Sequence, residues 1–186
     1  QKVKWDIPLL EGYEYSFLIN LSGRKSLSNR FFDVFNPSVV STLFRSRSKI
    51  VIVNGWSYSS TLMVIFFSAI FRKKVWLRAE NPLNQELRKS SKVLKIKKVF
   101  LGYLLFPFVH RFLYIGSQSK EFFTYYGVKP EKLVYTPYAV DNDFFQQEAK
   151  KLSDKESLKK ELGVDPGKKV ILYSGKYIEK TPAGSG

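Results

Sequence analysis

The sequence predicts an α/β fold: an open parallel sheet with helices on both faces. Three observations carry this. Short β-branched runs alternate with helix-length runs along the chain. The strand runs Ile50-Val51-Ile52-Val53 and Val170-Ile171-Leu172 lack polar alternation, as strands buried on both sides do. Glycines and prolines punctuate the segments where a crossover ends.

The elements follow in order. Residues 1–12 read as a loop, and Tyr13 to Ile19 as a strand. Ser38 to Arg47 reads as a helix, with Ser38 after Pro37 placed to cap it. Lys49 to Val53 is the next strand, Ser57 to Arg72 an almost wholly apolar helix, and Lys74 to Leu77 a strand. Lys92 to Phe106 is a helix and Phe112 to Ile115 a strand. Ser119 to Tyr126 is a helix stopped by Gly127, and Leu133 to Thr136 a strand stopped by Pro137. The polar stretch from Gln146 to Lys160 reads as a connector. Within it a charged helix begins at Asp154 as cap and runs to Leu162 before Gly163. Val170 to Tyr173 is a last strand. Residues 1–150 thus form one unit, 151–168 a linker and connecting helix, and 169–186 the start of another.

Composition narrows the chemistry. The 186 residues suffice for a compact core, and 44% apolar with 25% charged residues is an ordinary globular balance. Cysteine is absent, which excludes disulfides, thiolate metal sites and a Cys nucleophile, and fits a reducing cytoplasm. His110 is the single histidine, and it reads as a helix-end residue rather than a general base. The longest apolar run, Leu62 to Phe71, is about half of a membrane crossing. The formal net charge of +15 points to an anionic partner.

Ligands of open parallel sheets bind beyond the carboxyl ends of the strands. That rule selects Asn54, Gly55 and Trp56, then Arg78 and Glu80, then Ser117, then Tyr138, and finally Gly175 and Lys176. Trp56 and Tyr138 offer flat faces for a sugar ring. Arg78 and Glu80 offer a charge pair for hydroxyls or a carboxylate. The plainer alternative is that the glycines serve turns and that Arg78 and Glu80 only pair with each other. Asp141-Asn142-Asp143 matches a divalent-metal triplet, but Asp141 also stands where it would cap a helical turn.

Ile115-Gly116-Ser117, Tyr126-Gly127-Val128, Lys132-Leu133 and Pro137-Tyr138-Ala139-Val140-Asp141 with Phe144 and Phe145 resemble, together, glycosyltransferase family 4, retaining enzymes of the GT-B fold. Tyr138-Ala139 stands where that family usually has Asn-Gly. Lys155 to Gly163 resembles the helix before the family's second domain, and Val170 to Lys180 that domain's first strand and basic loop. The opening Lys4 to Tyr13 resembles a loop in some members.

The resemblance implies a metal-independent, cofactor-free transfer from a nucleotide diphosphate-sugar to a saccharide or lipid-linked acceptor, in surface polysaccharide or glycolipid synthesis. It implies that residues 1–150 are the acceptor-side half, with the family's first strands and most of the donor domain outside these 186 residues, so that this stretch alone is inactive. It also implies that Gly175 and Lys176 meet the donor diphosphate, with Lys180 one residue short of the usual second position, held by Thr181. No residue is singled out as catalytic.

Arg88 to Lys98 holds six basic residues and no acid. Val93, Ile96, Phe100 and Leu104 fall on one helical stripe. The helix either rests on an anionic membrane surface, on the inner face, or presents a solvated face over a buried stripe. No RNA- or DNA-binding motif is visible, so nucleic acid is the competing rather than the expected partner.

Overall fold

A computed structural model describes residues 10–23, 30–151, 155–165 and 167–171. The chain divides into two compact units, Gln1–Tyr138 and Ala139–Gly186.

The first unit is an α/β fold built on an open, four-stranded, all-parallel sheet in the order β1-β2-β3-β4, with helices interleaved between the strands, a Rossmann-like arrangement. The strands are β1 (Ile50–Asn54), β2 (Lys74–Ala79), β3 (Val109–Tyr114) and β4 (Leu133–Tyr135). The helices are α1 (Val39–Arg45), α2 (Ser59–Ile70), the short α3 (Leu83–Glu86), α4 (Ser91–Val99) and α5 (Ser117–Tyr125). A π-helical turn, Phe100–Leu105, continues α4. Sequential parallel pairing requires a crossover between each pair of strands, and the helix-length runs supply them.

One face of the sheet carries the core. Val53, Val75, Leu77, Ala79, Val109 and Phe112 pack against Ile65 of α2, Leu101 and Leu105 of the π-turn, and Phe122, Phe123 and Tyr126. Burying each such side chain contributes about 1.5–3 kcal/mol, so this cluster dominates the unit's stability. On β1 the opposite face is open, with Ile52 60% exposed. The expectation that this run is buried on both sides is therefore corrected. β-branching selected the strand, but nothing among the described residues covers that edge.

Local chemistry closes the elements. Gly127 (φ +88) ends α5, and its neighbour Val128 N–H returns to Phe123 O at 3.0 Å, the expected glycine stop. Ser38 precedes α1 but makes no side-chain cap, because its backbone is already helical. Instead its carbonyl accepts the Ser41 and Thr42 hydroxyls. Residues 13–19 form no strand. Their neighbouring carbonyls at Leu18 and Ile19 are taken by the Asn36 side-chain amide, and Tyr13, Tyr15, Phe17 and Ile19 are all exposed.

His110 lies on β3, not at a helix end. It is the extra residue where the β2–β3 register slips between Val75↔Val109 and Trp76↔Arg111.

In the second unit α7 (Lys155–Glu161) is the expected charged helix, while α6 (Asn142–Lys151) is a helix that was not expected and takes up the start of the connector. The charged sequence still has helix-forming Lys, Glu and Gln throughout. Asp141 Oδ1 accepts Phe144 N–H at 2.9 Å, so its carboxylate caps α6. Gly163 (φ +67) closes α7 as expected, while Asp154, expected as its cap, lies outside the described residues. Val170 and Ile171 are exposed and not in a strand, and Leu172 and Tyr173 lie outside the described residues. Among the described residues no helix is long and apolar enough to cross a membrane.

Candidate functional site

Parallel strands in near register bring their carboxyl ends to one edge. Asn54 pairs with Arg78, Ala79 with Tyr114, and Tyr114 with Tyr135. Between the first two tips lies a crevice of about 430 Å³ lined by Asn54, Gly55, Arg78, Ala79, Glu80 and Asn81. Four of the expected residues therefore meet there. Gly55 N–H donates to Arg78 O at 2.8 Å, and the tight exit from β1 holds Gly55 at φ +74, a conformation that favours glycine.

Arg78 does not pair with Glu80. No Arg78–Glu80 ion pair exists among the described residues. The Arg78 guanidinium lies 4.8 Å above the Tyr138 ring. This contact brings the segment after β4 back to β2. Arg78 Nε is buried without a hydrogen-bond partner among the described residues.

Ser117 opens α5 beside a second hollow of about 240 Å³, whose lining includes Glu80, Gly116 and Ser119. Glu80 thus borders both hollows. The Ser119 hydroxyl fixes their common wall by donating to Ala79 O at 2.8 Å. Trp56 is the exception. Its ring stacks on Phe122 at 5.9 Å and meets Phe106 edge-on at 6.1 Å, so it belongs to the core and not to the crevice. Gly175, Lys176 and Lys180 lie outside the described residues.

Between α3, α4 and the end of α5 sits a network that the residue pattern did not announce. Glu86, 4% exposed, accepts Lys97 Nζ at 2.8 Å and Tyr126 Oη at 2.7 Å on Oε1, and Lys89 Nζ at 3.0 Å on Oε2. Burial alone would raise the Glu86 pKa. The hydrogen bonds from Lys97, Tyr126 and Lys89 outweigh it and hold the carboxyl below its ordinary value. Burial lowers Lys97, with the Glu86 bond offsetting only part, and burial with the Glu86 bond raises Tyr126. The network ties α3, which follows the crevice loop, to α4 and to the end of α5. One signal for it existed: Glu86 is the single acid between Glu80 and Glu121 in a lysine-rich stretch. Among the described residues no group of three or more His, Asp or Glu side chains is placed to hold a metal ion.

Comparison with protein-family models, with curated proteins and with solved structures finds no match to this chain.

Proposed function

We propose that this chain is the acceptor-side half of a retaining glycosyltransferase that takes its sugar from a nucleotide diphosphate donor. The observation that carries the reading is the strand-tip crevice, where Asn54, Arg78, Glu80 and Asn81 line one hollow. Its polar groups suit a saccharide. Amide and guanidinium N–H groups donate to ring and hydroxyl oxygens, and the Glu80 carboxylate accepts from sugar hydroxyls. The motifs that resemble family 4 fall at the neighbouring strand tips, Ile115 to Ser117 after β3 and Pro137-Tyr138 after β4, with the Tyr138 ring against Arg78.

In this reading the donor diphosphate meets Gly175, Lys176 and Lys180. A fixed cation there stabilises the charge that grows on the departing nucleotide diphosphate more than it stabilises the bound donor, which lowers the barrier without a divalent metal. The acceptor, a saccharide or lipid-linked glycan, occupies the crevice.

The test is a titration of the isotope-labelled chain with neutral oligosaccharides, followed by amide chemical shifts. The reading expects shifts centred on Asn54, Gly55 and residues 79–81. Silence of these amides towards every saccharide, with oligonucleotide binding that falls steeply with salt, would replace it with a nucleic-acid-binding module.

A further inference from the structure

Helix α4 and its π-turn carry apolar side chains on two opposite sides, and the fold uses one of them. Leu101 and Leu105 are buried in the core, and Leu94 and Lys97 lean towards it half-buried. On the other side Val93, Ile96 and Val99 fall within about 120° at 100° per residue. The ridge continues through Tyr103 and Leu104. All five are exposed, Ile96 by 71% and Tyr103 by 77%. The expected stripe Val93, Ile96, Phe100 and Leu104 is thus turned outward, apart from the half-buried Phe100. The alternative in which lysines solvate a buried stripe does not describe this helix.

Single exposed aliphatic residues are ordinary, but a contiguous ridge marks a contact surface. The charge around it selects the partner. No Asp or Glu occurs from Leu87 to Lys120. Glu86, just before, is buried and already neutralised by Lys89 and Lys97. Arg88, Lys92, Lys95 and Lys98 are exposed and make no ion pair among the described residues, and Lys98 Nζ lies 5.7 Å from the Tyr125 ring. A polyanion such as nucleic acid would satisfy these cations but would leave Val93, Ile96 and Val99 in water. An anionic bilayer satisfies both.

We propose that α4 and the π-turn dock this unit on the surface of a bilayer containing anionic lipid. The ridge enters the boundary between headgroups and acyl chains, and Lys92, Lys95 and Lys98 extend to the lipid phosphates. The helix lies on the membrane and does not cross it. Docking requires no sugar chemistry, so vesicle binding and saccharide binding stand or fall separately.

The test is co-sedimentation of the chain with vesicles of phosphatidylcholine alone and with vesicles in which phosphatidylglycerol replaces part of it. Two triple variants accompany it: K92Q/K95Q/K98Q and V93S/I96S/V99S. All six positions are exposed. Far-UV circular dichroism matching the parent certifies folding, and the single I96S variant serves if a triple variant unfolds.

The parent is expected to pellet with anionic vesicles only. Each lysine removed weakens partitioning about fivefold, so the triple lysine variant binds on the order of a hundredfold more weakly. The serine variant also loses binding. Equal pelleting with neutral vesicles, or anionic binding untouched by the serine variant, would overturn the proposal. So would duplex DNA binding indifferent to the serine variant with vesicles ignored. Self-association abolished by I96S, without vesicle binding, would assign the ridge to a second copy instead.

Discussion

Tyr126 donates its hydroxyl to Glu86 Oε1 at 2.7 Å, across a separation of 40 residues. The bond joins the residue that follows α5 to the last residue of α3, and so ties those two helices together. Replacing Glu86 by Gln leaves Lys97 in a half-buried site without its counter-charge. The expected cost is about 3 kcal/mol at neutral pH, read from urea denaturation. The sign of the pH dependence follows from the depressed carboxyl. Glu86 contributes stability that is present above its unfolded pKa and is lost as pH falls through its folded pKa. The parent should therefore lose stability as pH falls below the ordinary carboxylate range. E86Q should show a shallower loss over the same range.

Arg72 stands at φ +56 where α2 ends, the one non-glycine among the described residues with a positive φ. The turn around it is a glycine-type stop, with Lys73 N–H returning to Ser68 O at 2.8 Å. Arg72→Gly should relieve a backbone strain of about 1 kcal/mol and raise Tm by about 2–4 °C. A fall in Tm measured by calorimetry would show that the arginine side chain contributes more than its backbone costs.

Ser68 is fully buried in α2, and its hydroxyl has no partner among the described residues. Ser68→Ala removes an unsatisfied polar atom and gains helix propensity. Stability should rise by about 1 kcal/mol, seen as a higher urea midpoint with unchanged slope.

Much of the fold was legible because its signals are local. The β-branched run at residues 50–53 and the glycine at 127 each specify their element from within a few residues. What escaped depends on partners distant in the chain. Residues 13–19 have a strand's composition, but a strand exists only if a neighbour pairs with it, and here Asn36 takes the backbone carbonyls that a neighbour would need. Trp56 sits at a strand end as a ligand platform would. Only the packing shows its ring stacked on Phe122, 66 positions away in sequence. The same limit hid Glu86, whose partners Lys97 and Tyr126 come from two other elements.

Within the site, sequence position identified Asn54, Gly55, Arg78 and Glu80, since strand register alone places them side by side. Sequence could not tell whether Arg78 pairs with Glu80 or stays available, because that depends on Tyr138 folding back over the guanidinium.

The central claim is that the β1 and β2 tips hold a saccharide, and calorimetric titration of the chain and of its Arg78→Met and Glu80→Gln variants with an oligosaccharide that shifts the crevice amides tests it most directly. Hydrogen bonds to charged groups are worth about 1.5–3 kcal/mol, so each variant should bind at least tenfold more weakly while keeping the parent's thermal stability within about 1 kcal/mol. Unchanged affinity in both variants would contradict the claim and place the saccharide elsewhere on the protein.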